Sequence, residues 1–467
     1  MAVLKVYHRE KLKFDCDGCP AETRAQCPVA LASRTAPPSH GVENEDASIT
    51  TEPEVTQAVD KDDIRPVPDA EMLHNVNDSE AAPNQPSAGT TTGGLPQGGR
   101  KVTFVTASQP PQAVNKSMLT TGSVAFIIFL KYFLALPLTR ISTLLNNACG
   151  FTLGPSTMIS SFKHHKDLFE ALYRRMVEEV RNFGHINIDE TSWRSFFRRI
   201  GKATYLDWMW VMASEKVVLY VLDKSRSSKV LLKYLGTAVH GVVSADRAQA
   251  YKKFAKEVQG VLLSFCWAHF RRDFVKAAVG NALLRPWAKC WIGRILKIYR
   301  LNRQRLKVLG DPVAFPKAQA KLEAAIKDFF DKIQAELRES NLYAAQREVL
   351  ESAVRHWHGL TLFVTDPLIP LDNNRAERLL RIVALARKNY YGTYAEWSGE
   401  FTAYCLTIIQ TAIMHGLEPM AYIKYYLDAC AKAGGVPKDL EPLLPWNIPE
   451  DVRRQYGMSP QELDRCA

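Results

Sequence analysis

The spacing of apolar and polar residues changes period several times along the 467-residue chain. Between His185 and Asp189, Ile186 and Ile188 alternate with Asn187 and Asp189, the period of two that marks a strand. Similar runs recur at 204–214 (TYLDWMWVMAS), 217–223 (VVLYVLD) and 241–246 (GVVSAD), and after a short helical stretch at 261–270 (VLLSFCWAHF). Upstream, residues 137–169 predict a helix, a glycine-containing turn and a second helix opening at Pro155. Proline with Ser156 and Thr157 suits a helix start. The layout is that of a helix-turn-helix with Ser156, Thr157, Ser160 and Lys163 on its second helix, although an ordinary helical hairpin fits it equally. Residues 281–358 are rich in Lys, Arg, Leu and Ala, keep a helical period and carry no strand signal. The expected fold class is therefore α/β, a mixed sheet interrupted by a helical insertion and preceded by a helical region.

Residues 36–112 break the pattern. They are rich in Pro, Gly, Ser, Thr and acids and end in GTTTGGLPQGG, too polar to bury a core, which predicts a disordered linker. The expected organisation is a small Cys-containing segment (1–35), this linker (36–112), a helical DNA-binding region (113–183), a first part of a catalytic core (184–280), a helical insertion (281–358), the rest of the core (359–430) and a tail (431–467). The most apolar stretch, 124–138, is interrupted by Lys131 and Pro137, so it predicts a buried helix and no membrane span. No secretory leader is read at the start. Nine scattered cysteines argue for a reducing cytosol and against a disulfide framework. The net charge of +11 hides an asymmetry: residues 41–90 hold twelve acids and two basic residues, so the remainder carries about +21. An excess of that size implies a polyanionic partner, with nucleic acid the usual one.

Against that basic background stand acids at the ends of apolar strands. Asp189 is followed by Glu190, and Asp246 closes a strand 57 positions later, far enough for the two strands to be neighbours. A third acid, Glu377, lies where Leu379, Leu380, Val383 and Ala384 form an apolar helical stripe, with Glu377, Arg378 and Arg381 on the other face. Two strand-borne Asp and one helix-borne Glu can converge on a pair of Mg²⁺ ions, about 4 Å apart, that act on a phosphodiester. Plainer uses exist for each: Asp189 and Asp246 as helix caps, Asn374 and Glu377 as a capping box.

Four strings occur in order: NIDETSW, SADRAQAY, CWAHFRRDF and DNNRAERLLRIVALARKNYYGT. Together they resemble the transposases of the insertion sequence 66 family, over about residues 120 to 430. The resemblance implies a ribonuclease H-like core with an Asp-Asp-Glu triad at the matching positions Asp189, Asp246 and Glu377, holding two Mg²⁺ or Mn²⁺ ions. It implies a DNA transposase that binds terminal inverted repeats, cleaves the strand and joins the freed 3′-hydroxyl to target DNA. Such a protein would work in the bacterial cytoplasm on nucleoid DNA, as a homo-oligomer, with accessory proteins an open question. A metal-dependent nuclease without strand transfer and an inactive DNA-binding relic are the alternatives. Cys266, Trp267, His269, Arg271 and Arg272 match the family's Cys-Trp-Ala-His-x-Arg-Arg string. Arg271 and Arg272 are expected to position DNA, and Cys266 and His269 to lie near the active site, since two ligands do not make a structural zinc site. Arg378, Arg387 and Lys388 are expected phosphate contacts, and Tyr390 and Tyr391 either stack on a base or pack in the core. The N-terminus departs from the family, whose members carry two cysteine pairs. Here Cys16 and Cys19, with Cys27 nearby, make an incomplete zinc shell unless His8 completes it.

Overall fold

Strand formation continues well beyond Asp189. In the computed structural model, which describes residues 11–15, 102–106, 111–114, 117–200 and 203–458, the strand that opens at His185 runs on to Ile200. The extension has a local cause: Thr191, Trp193, Phe196 and Phe197 are β-branched or aromatic, types that suit a pleated surface. The acids are tolerated because each finds a place. Glu190 is buried beside Arg226 (2.6 Å) and the Tyr251 hydroxyl, whereas Asp189 points to the opposite face.

Two units are distinct, residues 7–108 and the remainder. In the first, β1 (Lys11–Asp15) pairs antiparallel with β2 (Val102–Thr106). β2 lies inside the stretch read as linker, where a five-residue run of β-branched and aromatic residues is outweighed by the surrounding Gly and Pro. Cys16, Cys19 and Cys27, the expected zinc ligands, lie outside the described residues, as does His8.

The second unit is built on a mixed sheet. β3 (His185–Ile200), β4 (Ala203–Ala213) and β5 (Val218–Asp223) form an antiparallel meander, and β6 (Gly241–Ala245) and β7 (Val261–Phe265) extend it in parallel, in the order β5-β4-β3-β6-β7. A two-residue strand, β8 (Gly392–Thr393), pairs with the far half of β3. The run 261–270 is thus two elements, since the strand stops at Phe265 and a helix starts at Trp267.

Helices cover both faces. α1 (Thr121–Ile128), with a π-helical turn after it, α2 (Leu138–Cys149) and α3 (Pro155–Glu179) match the predicted helical region. They do not form a separate layer. Tyr132, Phe162 and Phe169 all pack on Phe401, so this region shares one core with the sheet and the helices that come last in the chain. Two short helices, α4 (Ser228–Leu235) and α5 (Gln249–Glu257), close the same face. α6 (Trp267–Gly280) comes next. Residues 281–358 are helical, in α7 (Arg285–Lys307), α8 (Ala314–Leu337), α9 (Ala344–Arg355) and the start of α10 (Trp357–Thr365). Their core around Trp267, Trp291 and Phe329 also takes in α6, which precedes that range, and the rest of α10, which follows it. Then α11 (Asn374–Leu379) and α12 (Arg381–Tyr390) lie on the other face of the sheet, where Ala376, Leu380 and Val383 pack with Trp193. The long buried α13 (Glu396–Met414) and α14 (Pro419–Ala433) follow, and α15 (Glu450–Tyr456) ends the described chain. The expected tail is packed: Leu443, Leu444 and Ile448 are buried in the main core. No helix among the described residues is long and apolar enough to cross a membrane.

α10 approaches β7 closely at Gly359. A Cβ at Gly359 in α10 would lie 2.6 Å from the Leu263 carbonyl oxygen and 2.5 Å from the Phe265 ring. Gly359→Ala is therefore expected to destabilise the protein by about 1–3 kcal/mol, the usual cost of overpacking. Denaturant unfolding checks this. An unchanged midpoint would mean that the insertion moves freely away from β7.

Candidate active site

Register brings the first two acids together. Asn187 on β3 is level with Ser244 on parallel β6, so two residues further on Asp189 is level with Asp246. The β6–β7 pairing ends at Ala245 opposite Phe265, which puts Cys266 next in the same row. Asp189, within β3, thus stands in one row with Asp246 and Cys266, which follow the carboxyl ends of β6 and β7, the side of an open α/β sheet where ligands bind. Adjacent strands are about 4.8 Å apart, so the carboxylates of Asp189 and Asp246 are close neighbours.

Glu377 arrives from α11, and the helix is fastened by side chains that the sequence did not flag. Asn373 is fully buried. Its Nδ2 donates to the Ile188 carbonyl (2.8 Å), its Oδ1 accepts from Asn187 Nδ2 (2.9 Å), and its backbone N–H donates to Cys266 Sγ (3.1 Å). One residue thereby clips β3, the end of β7 and the start of α11. On the far side, Arg375 donates to the carbonyls of Ala213 (3.3 Å) and Ser214 (2.7 Å), and the Tyr220 hydroxyl donates to that of Leu379 (2.7 Å). The capping-box alternative does not form, because the N-cap residue is Asn373 and its side chain is turned into the sheet. Asp246 does serve its own turn, accepting from the Ala248 N–H (2.8 Å), and Asp189 accepts from the Glu190 N–H (2.9 Å). Neither contact uses up a carboxylate.

Negative charge accumulates in this cluster. Burial, then the negative charges of Glu190, Asp246 and Glu377, push Asp189 up to about 7. Glu377 Oε1 is shielded from solvent and has no hydrogen-bond partner. The basic side chains beside it are His269, with Nδ1 at 3.5 Å, and Arg272, with Nη2 at 3.6 Å, both long for a hydrogen bond. Burial and the neighbouring Arg272 hold His269 below the usual imidazole range, so it is neutral at pH 7. Hard oxygen donors gathered with surplus negative charge fit Mg²⁺ or Mn²⁺.

Beside Glu377 opens a cavity of about 490 Å³ whose lining includes Arg271, Arg272, Tyr299, Arg303 and Asp372. Arg271, Arg272, Arg378 and Lys388 are exposed, as are Ser156, Ser160 and Lys163 on the first turns of α3, while Thr157 is half-buried. Arg387 is half-buried, and its Nη1 donates to the Ser192 carbonyl (2.6 Å) and to Ser192 Oγ (2.8 Å), which fastens α12 to β3 at that residue. Tyr390 is likewise covered, with Trp193 edge-on at 6.2 Å and the Lys131 ammonium 3.1 Å from its ring centre. Tyr391 is 59% exposed and left-handed in backbone (φ 65°).

Comparison with known proteins identifies the family. The family model "Transposase IS66 family" matches residues 116–401, well over half of the chain. The chain belongs to the IS66 family of transposases. Three curated proteins of Sinorhizobium fredii are similar to it. Uncharacterized protein y4qI is 25% identical over 365 residues, 74% of this chain and 66% of that protein. Uncharacterized protein y4jD is 26% identical over 362 residues, 74% of this chain and 69% of its own length. Uncharacterized protein y4hP is 26% identical over 220 residues, 44% of this chain and 39% of its own. The chain thus matches about two thirds of the length of the first two. The IS66 family segment takes in the whole sheet, the helical insertion and α11, so all three strand-end and helix-borne acids fall within it.

Proposed function

We propose that the protein is a DNA transposase that cleaves at element ends and joins the freed 3′-hydroxyl to target DNA, using Asp189, Asp246 and Glu377. The observation that carries this is the strand register that makes Asp189 and Asp246 neighbours, with Glu377 near enough to raise the Asp189 pKa. The strand order, three antiparallel then two parallel, supports a ribonuclease H-like core, and family membership supports the activity. The three carboxylates would hold two Mg²⁺ or Mn²⁺ ions, which when bound supply Lewis acidity toward the attacking and leaving oxygens of a phosphodiester.

The chain's own residues do the remaining work. Three acids alone would repel DNA, and the exposed Arg271 and Arg272, with Arg303 across the cavity, offset that charge and hold phosphates beside Glu377. The first turns of α3 offer Ser156, Ser160 and Lys163 to a groove, in the manner of a recognition helix, with Thr157 half-buried behind them. Arg378 and Lys388 extend the basic surface. Double-stranded DNA at terminal inverted repeats and at the target is the partner, bound by a homo-oligomer. Incubating the purified protein with a labelled element end and Mg²⁺ or Mn²⁺ tests this. Cleavage with joined products is expected, cleavage alone would reduce the protein to a nuclease, and a shifted but intact band would reduce it to a DNA-binding relic.

Arg271→Ala with Arg272→Ala is expected to weaken binding to all DNA sequences alike and to flatten the slope of log affinity against log salt by about 2, since about one counterion is released per phosphate contact. Titration at several salt concentrations reads the slope. An unchanged slope would assign both residues to the fold.

A further inference from the structure

The row formed by Asp189 and Asp246 has a third member that the triad does not use. Cys266 follows β7, His269 lies in the first turn of α6, and their sulfur and ring nitrogen lie within 4.8 Å of each other and of a Glu377 oxygen. In this trio His269 Nδ1 and Glu377 Oε1, 3.5 Å apart, are shielded from solvent yet have no hydrogen-bond partner. Orphaned buried polar atoms are rare and call for an explanation. The sulfur is prepared differently. The Asn373 N–H donates to it (3.1 Å), and the N–H groups of Ala268 and His269 at the helix start also act on it, a setting that favours thiolate. Burial opposes them and pushes the thiol up to about 11, so the sulfur is protonated while no cation is near.

We propose that Cys266, His269 and Glu377 form a site for one zinc-class cation, bound through thiolate, imidazole and carboxylate. Thiolate and imidazole select Zn²⁺ or Co²⁺ over Mg²⁺, and three protein ligands leave a fourth position for water. Binding exchanges the thiol proton for the metal and releases that proton to solvent, with no change of oxidation state. Arg272 approaches Glu377 to 3.6 Å, but its side chain is half exposed and can swing aside. The site shares Glu377 with the Asp189 and Asp246 cluster. A zinc-class cation here therefore competes with Mg²⁺ for one carboxylate and acts as an inhibitor. This last step rests on the transposase reading, whereas the binding does not.

The binding is tested by titrating Co²⁺ into the full chain with Cys16, Cys19 and Cys27 changed to Ser, so that the N-terminal thiols do not contribute. A thiolate-to-cobalt charge-transfer band with tetrahedral d–d bands is expected, saturating at one equivalent. Cys266→Ser should abolish the charge-transfer band, and His269→Ala should weaken cobalt affinity by about tenfold or more. A band that is absent, or that survives Cys266→Ser, overturns the site. Circular dichroism checks that Cys266→Ser is folded. If it is not, His269→Ala, at a partly exposed position, decides alone, and an unaltered spectrum there overturns the site. Inhibition is tested by adding Zn²⁺ to Mg²⁺-supported cleavage, each variant being compared with its own zinc-free rate. Inhibition of the unmodified chain that shifts to higher Zn²⁺ in His269→Ala is expected, and no inhibition overturns the competition. A chain that never cleaves defeats the transposase reading and leaves the cobalt spectrum to decide the site.

Discussion

Asp189→Asn, Asp246→Asn and Glu377→Gln are each expected to bind element ends nearly normally and to lose cleavage by about three orders of magnitude or more, with double variants little worse than single ones because the three act as a unit. Each change keeps the size of the side chain and removes the charge that would hold a divalent cation. The effect on folding should have the opposite sign. Asp189 lies at about 7 in the folded chain against 3.8 as its ordinary value. Between those pH values the folded state holds a proton that the unfolded state has lost, so the stability of metal-free protein falls as pH rises from about 4 to 7 and stays low above it. Asp189→Asn should remove this slope and raise the melting temperature at pH 8 in chelator. Cleavage near the unmodified rate in Glu377→Gln would remove Glu377 from the set. Asp372, which lines the same cavity, would then be the nearest alternative on that segment.

Asn373→Ala is expected to be the most damaging change outside the acids. It leaves the Ile188 carbonyl without its side-chain donor and Asn187 Nδ2 without an acceptor, both at buried positions. Each unsatisfied group costs about 1–3 kcal/mol. The same change frees the start of α11 four residues before Glu377, whose N–H donates to the Asn373 carbonyl (3.2 Å). A lower melting temperature should therefore come with a higher Mg²⁺ concentration for half-maximal cleavage and with unaltered affinity for DNA. If the protein melts earlier but keeps its Mg²⁺ requirement, Asn373 holds the fold and does not position Glu377.

Much of this architecture is legible in one dimension. The period of two at 185–189, the apolar runs at 217–223 and 241–246 and the helical period of 281–358 report local geometry. The helix pair around Gly150 is equally plain, because Gly150 sits in the left-handed region that ends α2 and Pro155 opens α3. Where local signals misled, tertiary context had intervened. β3 was expected to stop at its acids. It continues because Arg226 and Tyr251, 36 and 61 residues away, receive Glu190.

Residue types and spacing alone determined that the chain alternates strands and helices, that acids follow two apolar strand runs and that a helix carries a third. Those properties depend on neighbours within a few positions. The tertiary structure alone decided that Asp189, Asp246 and Cys266 share a row, since register between strands 57 and 20 residues apart is set by pairing and not by composition. It also decided that Asn373 is a buried clip, that Arg387 faces the sheet, and that Cys266 and His269 meet Glu377 from more than 100 residues away. Such contacts form only when a shared core brings distant segments together, and no local pattern encodes their geometry.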